Sequence, residues 1–192
     1  MRICVYGAAS NSIDRIYLEK VEELGLEMTR RGHSLVFGGG ANGLMGAVAR
    51  GVDKGGGYIL GVIPTFFDDE NIEGVFDKCD ELIGTKTMRE RKQIMEDNAD
   101  AFIVTPGGVG TFEEFFEMLT SKQLCRHNKP IVLFNVDNYF KELNDMMVAS
   151  VNKKFIRKGC LELYEVIDNL EELFAYLEAP QKERTIQDLK EG

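Results

Sequence analysis

Short apolar runs separated by longer amphipathic segments divide this chain into regular units. Each run ends near a glycine, a proline or an asparagine, and its length and continuous apolar character are typical of a buried strand. We predict five such strands, at RICVYG (2–7), SLVFG (34–38), YILGVI (58–63), AFIVT (101–105) and PIVLFN (130–135). A further, shorter strand is expected at 165–167.

Between these strands, apolar residues return every three or four positions, which is the period of an amphipathic helix. Val21, Leu24 and Met28 show this spacing in the first segment. The last helix follows Asp168 and Glu171, whose spacing fits a capping box. The same periodicity predicts helices at 13–31, 43–55, 88–98, 111–125, 138–152 and about 169–178.

The alternation of strands and helices indicates the fold class. Buried strands joined through helices need crossover connections, which produce a parallel sheet with helices on both faces. We therefore predict an α/β, Rossmann-like doubly wound parallel sheet, with residues 1–178 as a single nucleotide-binding domain and 179–192 as a polar tail that frays. Segment 64–80 is long for a connection and fits a loop over a site, although its paired phenylalanines also fit ordinary core.

Composition and charge narrow the possible partners. The 192 residues are 44% hydrophobic and 29% charged, as in a globular domain, and carry a net charge of −9. An acidic chain without a basic tract is a poor partner for nucleic acid or an anionic membrane. The four cysteines are scattered, which predicts core thiols and neither a zinc site nor a disulfide framework. With no signal peptide or membrane span in view, we expect a soluble cytoplasmic protein.

Three segments follow predicted strands, where ligands bind in a doubly wound sheet. They are YGAAS (6–10), GGGANGLMG (38–46) and PGGVGT (106–111). The second fits the dinucleotide fingerprint G-x-G-x-x-G through Gly38, Gly40 and Gly43. It follows the second strand rather than the first, however, and the third strand ends in Ile63–Pro64 rather than in an acidic residue. This position disfavours a dinucleotide site, and glycines that serve only a tight turn are the favoured of the two interpretations.

PGGVGT has the chemistry of an anion site. Glycines let backbone N–H groups approach an anion closely, and the helix predicted to begin at Thr111 directs its positive end to the same place. A phosphate is the natural ligand of such a loop. The structural alternative is that Thr111 and Glu114 form a capping box, in which the glutamate only returns to the N–H of the cap residue.

The segment TMRERK (87–92) favours the anion site. Thr87 and Glu90 form a second predicted capping box, yet Arg89, Arg91 and Lys92 lie at this helix start, where cations oppose the helix dipole. Three cations beside a glycine-rich loop in an acidic protein indicate a bound anion. Solvated surface charges are the alternative interpretation.

Other catalytic groups are scarce in the sequence. His33 and His127 lie in polar turns, where surface roles are expected, and neither a Ser-His-Asp order nor a G-x-S-x-G elbow is present. Carboxylates and arginines are therefore the titratable groups near the glycine loops. This combination suits cleavage of a glycosidic bond through an oxocarbenium-like transition state.

Together, PGGVGTFEE, MRERK and GGGANGLMGAVA resemble the motifs of the Lonely-guy family of cytokinin riboside 5′-monophosphate phosphoribohydrolases, whose members are often labelled lysine decarboxylases. The resemblance covers about residues 1–178. It implies hydrolysis of the N-glycosidic bond of a nucleoside 5′-monophosphate such as AMP or an N6-modified AMP, giving free base and ribose 5-phosphate. No metal or organic cofactor is implied, and family members are typically homodimers or larger assemblies.

The resemblance also assigns residues. Arg91 and Glu114 correspond to the catalytic pair, with the arginine either fixing the phosphate or assisting the leaving base, and Glu70 is a possible contact for the base. Phe115 and Phe116 are expected to include a core anchor that holds Glu114. The remaining substrate contacts implied are Lys92, Gly107, Gly108, Val109, Gly110, Thr111, Glu113, Gly39, Gly40 and Gly43.

Two other functions stay open. A non-catalytic nucleotide or molybdenum-cofactor carrier of this fold needs only the phosphate loop. A literal lysine decarboxylase needs a lysine that forms a Schiff base with pyridoxal phosphate, and Lys92 is the only lysine within a candidate motif.

Overall fold

A computed structural model describes residues 1–69, 74–183 and 185 of the chain. Its centre is a parallel sheet of seven strands in the order β4-β3-β2-β1-β5-β6-β7. The strands are β1 (Arg2–Tyr6), β2 (Ser34–Phe37), β3 (Ile59–Pro64), β4 (Glu81–Thr85), β5 (Ala101–Val104), β6 (Ile131–Phe134) and β7 (Glu165–Ile167).

The helices cover both faces of the sheet, as predicted. They are α1 (Arg15–Arg30), α2 (Gly43–Gly55), α3 (Phe66–Asp69), α4 (Met88–Asp97), α5 (Val109–Gln123), α6 (Lys141–Asn152) and α7 (Leu170–Glu178). Short 3-10 turns occupy Val136–Asn138 and Lys158–Glu162.

Successive strand residues point to opposite faces, so the sheet separates two apolar cores. In β1, Ile3 and Val5 belong to the core that α1, α2 and α7 cover, whereas Cys4 and Tyr6 belong to the core under α4, α5 and α6. Central strands are therefore apolar at every position, which is why their sequence runs are continuous. The predicted Rossmann-like architecture is confirmed.

The sequence pattern missed β4. This strand pairs only with β3, at the edge of the sheet, and its residues Glu81, Leu82 and Gly84 are exposed. A short edge strand carries no continuous apolar run because only one of its sides is paired and little of it is buried. It lies between the predicted loop 64–80 and the predicted helix 88–98, where no element was predicted.

The observed first residues of the helices show that two of the three predicted capping boxes are wrong. Helix α5 begins at Val109, two residues earlier than predicted, after Gly108 as its N-cap, so Thr111 lies inside the helix and caps nothing. The N-cap of α7 is Asn169, whose side chain accepts the Glu172 N–H, and not Asp168. The box at α4 is confirmed, since Thr87 Oγ1 accepts the Glu90 N–H at 3.1 Å.

Some predictions fall outside the described residues. These include Glu70 and the rest of 70–73 within the predicted loop, together with 184 and 186–192 in the predicted tail. The described part of that tail packs on the domain, where Asn128 Nδ2 donates to the Lys182 carbonyl at 3.0 Å. Across the described ranges, no helix has both the length and the apolar character needed to cross a membrane.

Candidate active site

A cavity of about 370 Å³ opens at the carboxyl ends of β1 and β5, where the strand order reverses. This switch point is the usual ligand position in a doubly wound sheet. The cavity walls come from the ends of β1 and β2 and from four helices or their starts. The lining residues are Tyr6, Gly7, Ala8, Ala9, Gly38, Asn42, Met45, Phe67, Met88, Arg91, Met95, Gly108, Gly110, Thr111, Glu113 and Glu114.

The glycine loop, residues 107–110, joins β5 to the N-terminus of α5 at the cavity. Gly108 is the N-cap and lines the cavity, so unpaired N–H groups of the first helical turn are close to the space. Gly107 packs tightly over this turn, because a Cβ there would lie 2.1 Å from Thr111 Oγ1. The loop therefore presents backbone rather than side chains, as an anion site requires.

Glu114 reaches the cavity from the second turn of α5. Its neighbour Phe115 is fully buried in the core and fixes this part of the helix, as expected for the anchor. Burial raises the pKa of the Glu114 carboxyl to about 7, with the Arg91 charge opposing that shift and the Glu113 charge adding to it. At neutral pH the carboxyl is thus present in both its protonated and its ionised form.

Arg91 reaches the same cavity from α4 and is only 8% exposed. Its Nε donates to the Val62 carbonyl at 3.0 Å and its Nη2 to the Gly38 carbonyl at 2.8 Å. The guanidinium also lies over the Phe67 ring, 5.5 Å from the centroid. A third, weak hydrogen bond runs from Nη1 to Met88 Sδ at 3.9 Å. These contacts orient the arginine and use three of its five N–H donors, so two remain for a ligand.

The other two cations of TMRERK are placed differently. Lys92 forms ion pairs with Glu113 and, at 2.6 Å, with Glu117, which ties α4 to α5. Arg89 is exposed at the surface. The structure thus brings one cation of the predicted cluster, Arg91, to the cavity wall, and Lys92 acts there through Glu113.

Several residues implied as substrate contacts are not in the cavity wall. Of the assigned set, the wall contains Arg91, Gly108, Gly110, Thr111, Glu113 and Glu114, while those outside it are Lys92, Gly107, Val109, Gly39, Gly40 and Gly43. Val109 is 85% exposed, at the outer side of the helix start. Gly39 and Gly43 have left-handed φ angles of 77° and 54°, which explains these glycines as turn residues.

Apolar residues make up much of the remaining wall. The sequence indicated no role for them, although Met88 stands in TMRERK and Met45 in GGGANGLMG. Met88 and Met95 lie on the same face of α4 as Arg91, at spacings of three and four residues. That helical spacing was a usable signal for both methionines. Met45 and Phe67 come from separate elements, and only the folded chain brings them to the cavity.

The two histidines lie away from the cavity, but the predicted surface roles are wrong. His33 is buried, and its Nε2 lies 2.9 Å from Glu178 Oε1. His127 is half-buried, its Nε2 donates to the Met118 carbonyl at 3.0 Å, and burial lowers its pKa to about 4. Polar neighbours in the sequence hid the partners that allow the His33 ring to be buried and the His127 ring to be half-buried.

Comparison with known proteins agrees with these features. A family model described as possible lysine decarboxylase matches residues 45–177. The chain is 37% identical over 191 residues to a probable cytokinin riboside 5′-monophosphate phosphoribohydrolase of Oryza sativa subsp. japonica. This alignment covers 98% of this chain and 78% of the relative. It is 38% identical over 182 residues to a cytokinin riboside 5′-monophosphate phosphoribohydrolase of Arabidopsis thaliana, covering 95% and 83%.

The chain belongs to the Lonely-guy family. The same fold also occurs in proteins with much lower sequence identity to this chain. A molybdenum cofactor binding protein of Rippkaea orientalis matches this Lonely-guy protein with a TM-score of 0.70, at 22% identity over 92% of this chain and 94% of that chain. Similarity at that level of identity concerns the fold alone.

Among its described residues, this Lonely-guy protein has no group of side chains arranged as a metal site. Within residues 1–69, 74–183 and 185, no cluster of three or more His, Cys, Asp or Glu side chains is placed to hold a metal ion. The charged groups at the cavity are instead one arginine and two glutamates, Arg91, Glu113 and Glu114.

Replacing Gly38 with alanine is expected to displace Arg91. A Cβ on Gly38 would lie 1.9 Å from Arg91 Nη2, so the guanidinium must leave the Gly38 carbonyl. A shift of this size in a reacting group lowers kcat/KM by about 10²-fold. The matched control is Gly74→Ala, because no atom of the described residues lies within 4 Å of a Cβ there. Equal kcat/KM in the two variants and the wild type would contradict the role of Gly38.

Replacing Glu114 with glutamine is expected to stabilise the protein at alkaline pH. The folded pKa of about 7 lies above the ordinary 4.5, so the folded state holds a proton that the unfolded state loses. The contribution of Glu114 to the free energy of unfolding is therefore fully present below about pH 4.5 and is lost as pH rises through about 7. Between about pH 5.5 and about pH 8, urea denaturation should show the variant gaining about 2 kcal/mol relative to the wild type. A difference independent of pH would contradict the raised pKa.

Proposed function

We propose that this protein hydrolyses the N-glycosidic bond of a purine nucleoside 5′-monophosphate, releasing the free base and ribose 5-phosphate. The observation that carries the proposal is the partly buried Glu114 carboxyl, with a pKa of about 7, in the same cavity as Arg91 and a glycine-rich helix N-terminus. The activity named for the Oryza and Arabidopsis relatives supports the same reaction.

The 5′-phosphate is assigned to the glycine loop. The N–H groups at the start of α5 and its helix dipole favour a dianion there, and no side chain of Gly108 or Gly110 stands in the way. Thr111 lies in the first turn of the same helix and lines the cavity. With the phosphate fixed at this end, the ribose extends toward Glu114 in the next turn.

We assign to Glu114 the proton transfers that accompany the attack of water on the anomeric carbon. Its ionised form takes a proton from water while the water oxygen attacks C1′, and the bond from C1′ to the base nitrogen breaks. The bonding electrons leave with the base, which takes up a proton, and the water oxygen becomes the anomeric hydroxyl of ribose 5-phosphate. A carboxyl with a pKa near 7 is suited to both accepting and returning that proton.

Arg91 is assigned to the base end of the substrate. It lies at the carboxyl ends of β2 and β3, where its partners are the Gly38 and Val62 carbonyls, whereas the glycine loop follows β5. Phe67 and Met88 beside it provide apolar surface for a purine ring. A guanidinium held there can donate to the leaving base, which accumulates negative charge as the bond breaks.

The lysine decarboxylase description fits the cavity less well. Burial lowers the pKa of Lys92, but its hydrogen bonds and ion pairs with Glu113 and Glu117 more than offset this and leave the pKa raised. A lysine that forms a Schiff base must lose its proton, so this environment opposes that chemistry.

We also infer a homodimer or larger assembly in the cytoplasm. The assembly rests on the family resemblance, and large exposed apolar side chains such as Phe155 and Met146 are available to an interface. The cytoplasm is supported by the four cysteines, which are all free. Light scattering of the purified protein tests the assembly, and a monomer at all concentrations would contradict it.

The substrate range is tested by incubating the purified protein with a panel of nucleoside 5′-monophosphates and following the free base by chromatography. The panel contains AMP, isopentenyladenosine monophosphate and the corresponding nucleosides without phosphate. We expect base from the purine monophosphates and much less from the nucleosides. Equal rates with and without the phosphate would contradict the role of the glycine loop.

A further inference from the structure

Tyr139 contacts the glycine loop although it lies 32 residues further along the chain. Its hydroxyl donates a hydrogen bond of 2.5 Å to the Gly107 carbonyl. Its ring meets the rings of Tyr17, in α1, and of Phe140 edge-on, at centroid distances of 6.2 and 5.1 Å. The tyrosine therefore connects the loop to a different part of the fold, and no motif in the sequence identified it.

The turn before Tyr139 is built to place this side chain. Asp137 and Asn138 have φ angles of 50° and 57°, a left-handed conformation that residues other than glycine adopt rarely and Asn and Asp most readily. Asn135 Oδ1 accepts the Phe140 N–H at 2.8 Å across the turn. The Phe140 side chain is buried in the core. Tyr139 is thus held from both sides at the end of β6.

The contact with Gly107 fixes the orientation of one peptide group. A peptide is planar and, when trans, its carbonyl and its N–H point in opposite directions. Because the Gly107 carbonyl faces Tyr139, the N–H of Gly108 faces the other side of that plane. Two consecutive glycines leave the backbone unusually free to rotate, so a tie from outside the loop has a large effect there.

We propose that Tyr139 is a positioning residue that fixes the Gly107–Gly108 peptide with the Gly108 N–H directed at the 5′-phosphate of the substrate. Gly108 is the N-cap of α5 and lines the cavity, so its N–H is one of the donors that the helix itself leaves without a partner. The nature of the anion rests on the proposed function, whereas the tie to the loop does not.

The variant Tyr139→Phe tests this role, because it keeps the ring and removes only the hydroxyl. We expect the KM for AMP to rise about tenfold while kcat stays within about twofold, since the lost interaction concerns phosphate binding. Titration calorimetry should show ribose 5-phosphate bound about tenfold more weakly. General damage to the fold would instead lower kcat as well.

The matched control is Tyr58→Phe, which removes a hydroxyl that donates to Glu81 at 2.7 Å beside the edge strand β4. It should leave KM, kcat and ribose 5-phosphate affinity unchanged. Unaltered KM and affinity in Tyr139→Phe would overturn the proposal, as would a wild type that does not bind ribose 5-phosphate. A wild type that binds ribose 5-phosphate but releases no base, with weaker binding in Tyr139→Phe, supports the positioning role and contradicts only the assigned reaction.

Discussion

Replacing Glu114 with glutamine is expected to lower kcat for base release by about 10²–10⁴-fold, the usual contribution of a positioned acid or base. Glutamine keeps the size of the side chain and its place beside Phe115 but cannot accept or return a proton. Initial rates of base release from AMP measure the effect. In the wild type, kcat/KM should rise as pH increases through about 7, where the carboxyl ionises, and this rise should be absent from the residual activity of the variant.

The control for this substitution is Glu117→Gln. Glu117 lies on the same helix, pairs with Lys92 and has a side chain 42% exposed, so its loss should change the rate little. Circular dichroism establishes that both variants are folded. A Glu114→Gln variant that retains wild-type turnover and pH dependence would leave Glu114 without a catalytic role. Since Thr111 lies inside α5, the helix cap no longer offers an alternative function for this glutamate.

Replacing Arg91 with alanine is expected to lower kcat/KM by about 10²-fold or more, because a preorganised cation is lost from the reacting site. The same change leaves the Gly38 and Val62 carbonyls without their partner, which should cost about 1–3 kcal/mol in the free energy of unfolding. Kinetics and urea denaturation measure the two effects separately.

The variant Arg91→Lys separates the charge of this residue from its geometry, and Arg89→Ala is the control. Arg91→Lys keeps the positive charge, but a single ammonium cannot replace a planar group that donates to two carbonyls, so most activity should still be lost. Arg89→Ala removes an exposed cation of the same motif and should behave as the wild type. Full activity in Arg91→Lys would show that charge alone suffices and would contradict the account of an oriented guanidinium.

The sequence predicted most of the sheet because its central strands are buried on both faces. Such strands, β1 and β5 among them, need apolar residues at every position, and their runs are therefore visible in the sequence. Strand β4 is the counterexample, since an exposed edge strand needs no such run. Its position became visible only through its pairing with β3.

The candidate site was predictable in part, for reasons that differ between residues. Glu114 and Arg91 stand in motifs, and both reach the cavity. The start of α5 was misplaced because Gly108 caps the helix with its backbone, which no side chain in the sequence signals. Tyr139 could not be found because its role depends on a left-handed turn and on a contact between distant segments.

The measurement that tests the central claim most directly is a product analysis with AMP and isopentenyladenosine monophosphate, using wild type and Glu114→Gln in parallel. The account predicts free base and ribose 5-phosphate in equal amounts from the wild type, and from the variant a rate about 10²–10⁴-fold lower. A folded wild-type protein that releases no base from any purine monophosphate would contradict it.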